Sequence, residues 1–290
     1  GATSFFVSGQ IFSNVLFTFL LASLFFLVGL HLDLSLFSAL RHKRRQLTVS
    51  LIAVYVLTPI IAYVFSLLPG YIGEVFLVLG VSGAALGSPM IWSNLASADG
   101  DLASHTATFS LLFAPVFVPI LVFLMPLEFN TSLVVGNIPI IAVPFLVGML
   151  AQNYENGFLQ DLRIHFSKLA FWLIVLITLV QFRLLVQEQG ALYTSELLIS
   201  SVFFGAFSLI AFGYSHLLGI FTELYEKESR AIGFIGSSKN VAIAFFLAAH
   251  LSGEIVLLVG VYYFVRQLMG LTFVDLYVHG EPKLRQRIGF

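Results

Sequence analysis

Lys239 stands in the run Gly236-Ser237-Ser238-Lys239-Asn240, with apolar sequence on both sides. An ammonium at bilayer depth costs at least about 3 kcal/mol, so it faces protein or water and marks a function by default. A second polar interruption, Gly87-Ser88-Pro89 through Ser93-Asn94, lies in the other half of the chain. Pro89 has no N–H and clashes with a preceding helical turn. Unwound backbone survives at membrane depth where protein or a water-filled cavity surrounds it. If both helices break near the midplane and cross, their half-helix N-termini present partial positive charge to an anion, and their free carbonyls receive a cation. The side chains of Ser88, Ser93, Asn94, Ser237, Ser238 and Asn240 offer hydroxyl and amide groups to either. Two interrupted segments, one per half, form the pattern of a secondary transporter's binding site. Two competing readings are that Pro and Gly kink membrane helices without consequence, and that Lys239 is a structural cation.

The elements that must position these residues are helices in a bilayer. The chain is 59% hydrophobic, with 31 Phe, a mean hydropathy of +0.98 and 10% charged residues. A soluble domain averages about 25% charged. A β-barrel would show short alternating strands instead. The net charge of −1 carries no nucleic-acid signal, and the absence of Cys excludes disulfides and thiolate metal sites. The first residues, Gly1-Ala2-Thr3-Ser4, lack the basic stretch of a signal peptide.

Apolar runs of about 20 residues predict nine transmembrane helices, at 10–31, 47–68, 74–97, 102–126, 135–152, 168–186, 196–221, 230–250 and 255–277. The third and eighth are interrupted. Lys and Arg sort sharply between the connections. Arg41, Lys43, Arg44, Arg45, Arg163, Lys168, Lys227, Arg230, Lys283, Arg285 and Arg287 fall on one side, and the opposite connections hold none. The positive-inside rule then puts the N-terminus outside and the C-terminus in the cytoplasm of a cell membrane, plasma or inner. This layout suggests an inverted repeat. Segments 1–4 (10–126) match segments 6–9, segment 5 is extra to the second half (135–277), and 278–290 form a cytoplasmic tail of one transporter unit. Segments 2–4 and 7–9 are expected to form a core domain, and 1, 5 and 6 a panel.

At these residues the chain resembles the bile acid:sodium symporter family and its wider superfamily, most closely the nine-helix form. Four stretches carry the resemblance: Gly29-Leu30-His31-Leu32 followed by Phe37; Thr58-Pro59-Ile60-Ile61-Ala62; Ser88-Pro89 with Ser93-Asn94, then Gly100-Asp101-Leu102-Ala103 and the pair Pro115 and Pro119; and Gly236 through Asn240 with Ala242 and His250. It implies an all-α polytopic fold with an inverted repeat and two crossing discontinuous helices. It also implies two bound sodium ions, and here the chain departs. Phe234 stands where the family has a sodium-binding Glu, Ser238 where it has Gln, Lys239 where it has Asn, and Val54 where a Gln contributes to a sodium site. The Ser and Thr that segment 4 supplies in the family fall at Ala103 and Ala107, or at His105 and Phe109 if the gap is placed differently. The Pro-Gly-Gly element reads Pro89-Met90-Ile91. A residual sodium site would consist of Ser93, Asn94 and Ser238. A lost carboxylate and a gained ammonium oppose a bound cation, since two unit charges about 4 Å apart repel by about 4 kcal/mol at an effective dielectric of about 20. The Lys239 ammonium is therefore read as occupying the space and charge of a sodium ion, within reach of Ser88, Ser93 or Asn94.

His105 is a candidate proton carrier, since imidazole is the side chain whose ordinary charge change lies nearest neutral pH, although bonding within the bundle is the commoner role. Asp99 and Asp101 are expected to cap segment 4, with Asp101 alternatively pairing a basic group at an inner gate. Trp92 is placed to wall a cavity, Trp172 and Arg183 to meet the interface, and the face of Arg266 is open. His31, His216, His250 and His279 lie near segment ends.

The function so indicated is secondary transport of a small organic anion by alternating access. It requires no prosthetic group, with Na⁺ or H⁺ as the candidate coupling ion and the lipid bilayer as surroundings. Conventional sodium symport is the alternative. Two further classes compete, a non-transporting sensor and an intramembrane enzyme. The enzyme is weak, because Ser237 or Ser238 beside Lys239 would be adjacent on a helix and point about 100° apart.

Overall fold

A computed structural model describes residues 2–30, 42–85, 87–124, 138–152, 154, 157–189 and 194–280. His31, Phe37, Arg41, the 127–134 connection, Lys283, Arg285 and Arg287 fall outside them, as does the side chain of Arg183. The described residues are helical, with no strand among them. In chain order the helices are α1 (Ala2–Leu30), α2 (Arg44–Ile52), α3 (Thr58–Phe65), α4 (Tyr71–Val81), α5 (Ser88–Leu95), α6 (Gly100–Leu124), α7 (Ile138–Ala151), α8 (Gly157–Ile164), α9 (Phe166–Gln189), α10 (Thr194–Phe221), α11 (Glu226–Ser237), α12 (Val241–Ala248) and α13 (Gly253–Asp275). A π-helical turn, Ala53–Leu57, joins α2 to α3, and another, Leu276–Gly280, follows α13.

Among the described residues three helices are long and apolar enough to cross a membrane, Arg44–Phe65, Glu196–Phe221 and Gly253–His279, or up to five if two bent pairs are each one span. The predicted segments 3 and 8 are each two short helices, α4 with α5 and α11 with α12. Composition and these apolar helices mark an integral membrane protein.

The chain divides into two compact units. The first comprises 1–32, 128–197 and 242–260. Segments 1, 5 and 6 fall within it, and so do 242–260, which the sequence reading assigned to the core. Its helices meet through small residues. A Cβ on Gly29 would collide with the Phe145 backbone, and one on Gly148 with the Phe26 carbonyl. With no hydrophobic drive between helices in lipid, such close backbone approach is what holds α1 against α7. Gln152 adds a hydrogen bond from Nε2 to the Gly29 carbonyl, 2.7 Å.

The second unit comprises 33–127, 198–241 and 261–290. The buried rings of Phe76, Phe204, Phe207 and Tyr262 fill one of its layers. They meet mostly edge-on, as at Phe76 and Phe204, centroids 5.4 Å apart. A second layer holds Trp92, Ala96, Phe212, Phe234 and Phe273, where Phe212 stacks on Phe273 at 4.1 Å. Each such ring pair contributes about 0.5–1.5 kcal/mol beyond burial. Both breaks lie in this unit, between the two layers in sequence.

Candidate functional site

The first interruption begins earlier than the sequence reading placed it. α4 ends at Val81, and the chain is non-helical over 82–85 and at Gly87, with Gly83 at φ 72° and Gly87 at φ 88°. These left-handed values suit glycine and strain other residues. Ser88 then opens α5 with Pro89 in its first turn. The missing N–H of Pro89 is harmless there, because first-turn N–H groups have no helical partner. Ser93 and Asn94 consequently sit on a helix, not in the unwound stretch. The second interruption is shorter. α11 ends at Ser237, and Ser238 is extended at φ −107°, ψ 111°.

The two unwound stretches run antiparallel to each other, with Ala84 bridged to Lys239. The Ala85 N–H donates to the Ser238 carbonyl at 3.0 Å, and the Asn240 N–H donates to the Gly83 carbonyl at 3.1 Å. Each break thus satisfies backbone groups of the other, which apolar surroundings would leave unpaired at a cost of several kcal/mol. Side chains complete the accounting. Tyr55 Oη lies 2.6 Å from the Ser110 carbonyl and 2.8 Å from Ser110 Oγ, and that Oγ accepts from the Ala84 N–H at 2.9 Å. Thr58 Oγ1 donates to the Gly236 carbonyl at 3.2 Å, and Tyr262 Oη to the Ser237 carbonyl at 3.1 Å.

Lys239 is fully buried. Its Nζ lies 3.4 Å from the Val54 carbonyl, not against Ser88, Ser93 or Asn94 as the sequence reading expected. The reason is local. In the π turn the Thr58 N–H bonds the Ala53 carbonyl, five residues back. The corresponding partner for Val54 would be the N–H of Pro59, which does not exist. The Val54 carbonyl is therefore left open, and the ammonium takes it.

The residue that reaches Ser88 is Arg266. Its Nη2 donates to Ser88 Oγ at 2.9 Å, and its Nη1 to the Lys239 carbonyl at 3.4 Å. The guanidinium carbon lies 5.2 Å from the Trp92 ring centroid and 5.4 Å from that of Tyr263. Gly270 leaves room for Trp92, since a Cβ there would strike the indole. Arg266 is 3% exposed, and its Nε has no hydrogen-bond partner. Among the described residues neither Lys239 nor Arg266 forms an ion pair with a carboxylate. Arg266 is the residue that sequence reasoning left open. Its signal was the same as that of Lys239, a cation within a span.

The positions implied by resemblance to hold sodium ligands carry few oxygens. Phe234 is packed among Trp92, Phe212 and Phe273. Ala103 and Ala107 are buried core, as is Val54, and Phe109 stacks on Phe113. Ser93 and Ser238 are fully buried with unpartnered hydroxyls. Asn94 is exposed at the end of α5, its amide against Gly100. Ser237 Oγ donates to the Phe234 carbonyl at 3.1 Å, so it makes no Ser–Lys pair with Lys239. Among the described residues no group of three His, Asp or Glu is placed to hold a metal.

The capping role falls to Asp99. Its Oδ1 accepts from the Leu102 N–H at 2.9 Å, and its Oδ2 pairs with Lys43 Nζ at 2.7 Å. Asp101, the other residue expected to cap segment 4, is exposed and forms no ion pair among the described residues. His105 is half-buried on α6. Trp92 is a buried packing ring, whereas Trp172 is 61% exposed, as an interfacial residue would be.

The model of the sodium bile acid symporter family matches residues 18–191, more than half of the chain. That stretch includes the first break and Pro59 and stops short of Lys239 and Arg266. No curated protein matches the chain at a significant level.

Proposed function

The chain belongs to the sodium bile acid symporter family, a family of membrane transporters, and on that premise we propose that it moves a small organic anion by alternating access without the two-sodium coupling the family name implies. In this reading the nine segments form the inverted repeat, α4–α5 and α11–α12 are its two crossing helices, and Ser88, Pro89, Ser237, Ser238, Lys239 and Asn240 line the binding region. The plasma or inner membrane is the proposed location, with the N-terminus outside.

The observation that carries it is the state of the carbonyls at the crossing. The end of α11 is the negative pole of a helix dipole and would draw a cation. Its last carbonyls are instead met by Thr58, Tyr262, Ala85 and Arg266, and the Val54 carbonyl by Lys239. In this reading the protein-borne cations supply the charge that a sodium ion would bring, and Phe234 supplies a ring in place of the carboxylate it would need.

Ordinary sodium symport is the second reading. The buried, unpartnered hydroxyls of Ser93 and Ser238 favour it, because such oxygens suit a hard cation. Uptake of labelled carboxylates into proteoliposomes, under a Na⁺ gradient, an H⁺ gradient or neither, separates the two. We expect uptake without sodium. Strict Na⁺ dependence with a Hill coefficient near two would establish the second reading, and no uptake of any anion would remove both.

A further inference from the structure

A cavity of about 470 Å³ lies within the first unit, between α1, α8 and α9. Each helix lines it with one face. Phe19 and Ser23 of α1, Phe158 and Leu162 of α8, and Leu169 and Leu173 of α9 all contribute, and residues four apart share a side of a helix. The volume lies in the range of ligand sites, about 300–1,000 Å³. Ser23 is the one polar side chain in the walls, and its hydroxyl donates to the Phe19 carbonyl at 2.8 Å. The walls therefore offer nothing to water or to a polar solute, and an apolar cavity of this kind stays dry. Phe19 and Phe158 remain 65% and 68% exposed, so the unit does not close over its own walls. What fits such a space in a bilayer is an acyl chain.

One edge of the cavity carries charge. α8 is bent by 73° from the span that follows it. Leu162 and Leu169, on either side of the bend, both line the cavity. Between them stand Arg163, His165 and Lys168, all exposed. Arg163 directly follows Leu162 and Lys168 directly precedes Leu169, so the two cations stand at the cavity's edge and outside its walls. Neither forms an ion pair among the described residues. Asp161 is the one acidic residue between positions 157 and 180, and α1 has no charged residue at all. Asp161 stands four residues from His165, the spacing that pairs on a helix, and two from Arg163, which does not. The bend is therefore net positive. A short helix turned this far from a spanning neighbour lies along the bilayer surface, its apolar face towards the acyl chains and its cations at headgroup depth. Basic groups at that depth attract anionic headgroups.

We propose that this cavity seats one acyl chain of an anionic phospholipid, whose phosphate is held at the bend by Arg163 and Lys168. Apolar walls alone would take the chain of any lipid, and the two cations select the headgroup. The site does not depend on the anion-transport reading, because its ligand is a component of the membrane.

Trp172 reports on it. This indole follows Lys168 by four residues and is 61% exposed, whereas Trp92 is 5% exposed and supplies a constant background. The full chain is reconstituted in phosphatidylcholine vesicles that contain a minor fraction of phosphatidylglycerol with brominated acyl chains, which quench indole fluorescence, or of brominated phosphatidylcholine. Phosphatidylglycerol should half-saturate the quenching at a mole fraction at least about fivefold lower, equivalent to about 1 kcal/mol for one net positive charge. Arg163→Gln combined with Lys168→Gln should bring the two lipids level. Ala22→Leu fills the cavity and leaves the charges, and it should also shrink the ratio towards one. Equal quenching by the two lipids in the wild type would overturn the site. A preference that survives the double Gln change would overturn the role of the cations. A preference unchanged in Ala22→Leu would mean headgroup attraction without a seated chain, and would overturn the cavity as the site. Should the double variant not fold, the wild type in high salt replaces it, where screening should remove the preference and its persistence would refute the headgroup contact. Absence of quenching by either lipid, with the chain eluting as a dimer, would mean that a second copy covers this face, which also overturns the proposal.

Discussion

In the proposed reading, Phe234 and Lys239 change the chemistry of one site by two residues. The ring of Phe234 extends an aromatic cluster through the place where resemblance implies a carboxylate. The ammonium of Lys239 meets a carbonyl that Pro59 left open. Lys239 was legible in the sequence because a charge between apolar runs is conspicuous. Its partner was not, because which carbonyl is open depends on helix register, a property of the assembled turn. Arg266 was equally conspicuous by type, but its flanks Tyr262, Tyr263, Phe264 and Val265 are apolar or amphipathic all round. No stripe revealed which face turned inward. Replacing Lys239 distinguishes a functional cation from a structural one. Lys239→Ala removes one long hydrogen bond and an unpaired buried charge but empties the volume of a fully buried side chain, so the two effects oppose and its melting temperature should change little. Its uptake should vanish. Lys239→Arg should also fail to transport, since a planar guanidinium does not fit the space of a compact ion. Normal uptake by Lys239→Ala, or its unfolding, would refute the role given to the ammonium.

At the scale of the elements, the existence of both breaks could be read from Gly, Ser and Pro clusters, but the position of the first could not. Pro89 appeared to interrupt a helix and instead begins one, because the turn that Pro is forbidden to enter is the interior turn, and the first turn accepts it. The unwinding is carried by Gly83 and Gly87, six and two residues before Pro89. Gly83 is tightly held. A Cβ there would lie 2.7 Å from Ser110 Oγ and 3.2 Å from Tyr55 Oη, on a backbone at φ 72°. Gly83→Ala should therefore destabilise the protein by about 1–3 kcal/mol, from strain at a left-handed position and from disturbing the Tyr55–Ser110–Ala84 bonds. A fall in melting temperature of the purified variant measures it, and Ala at half-buried Gly213, where an added Cβ would meet open space, is the control that should change little. A Gly83→Ala variant as stable as the wild type would show that the crossing does not depend on this clamp.

For the whole molecule, the sequence predicted nine segments with alternating charge, whereas the helices long enough to span among the described residues are fewer. The difference has a physical source. A broken span is two short helices, and a hydropathy run does not register a bend. The expected grouping of the basic connections can be compared with contacts. Lys43 pairs with Asp99, the Asp99 N–H donates to the Lys227 carbonyl, and Arg45 donates to the Thr222 carbonyl. These bonds tie the connections near residues 43, 99 and 225 at one end of the second unit, and that end carries the Lys and Arg that the positive-inside rule assigns to the cytoplasm. Arg230 departs from the pattern. It is buried on α11, over the Tyr277 ring at 4.5 Å and paired with Glu226, so it counts as packing more than as a loop charge. The orientation is directly testable because the chain contains no Cys. Glu223, with an 88% exposed side chain, and Tyr71, 46% exposed at the opposite connection, serve as single-cysteine sites. In intact cells a membrane-impermeant thiol reagent should label Tyr71→Cys and spare Glu223→Cys. Permeabilisation should expose Glu223→Cys. The reverse pattern would invert the topology and move the N-terminus to the cytoplasm. It would also break the link between the Lys43–Asp99 end and the inner face, because that end would then carry its positive charge against the rule that orients membrane helices.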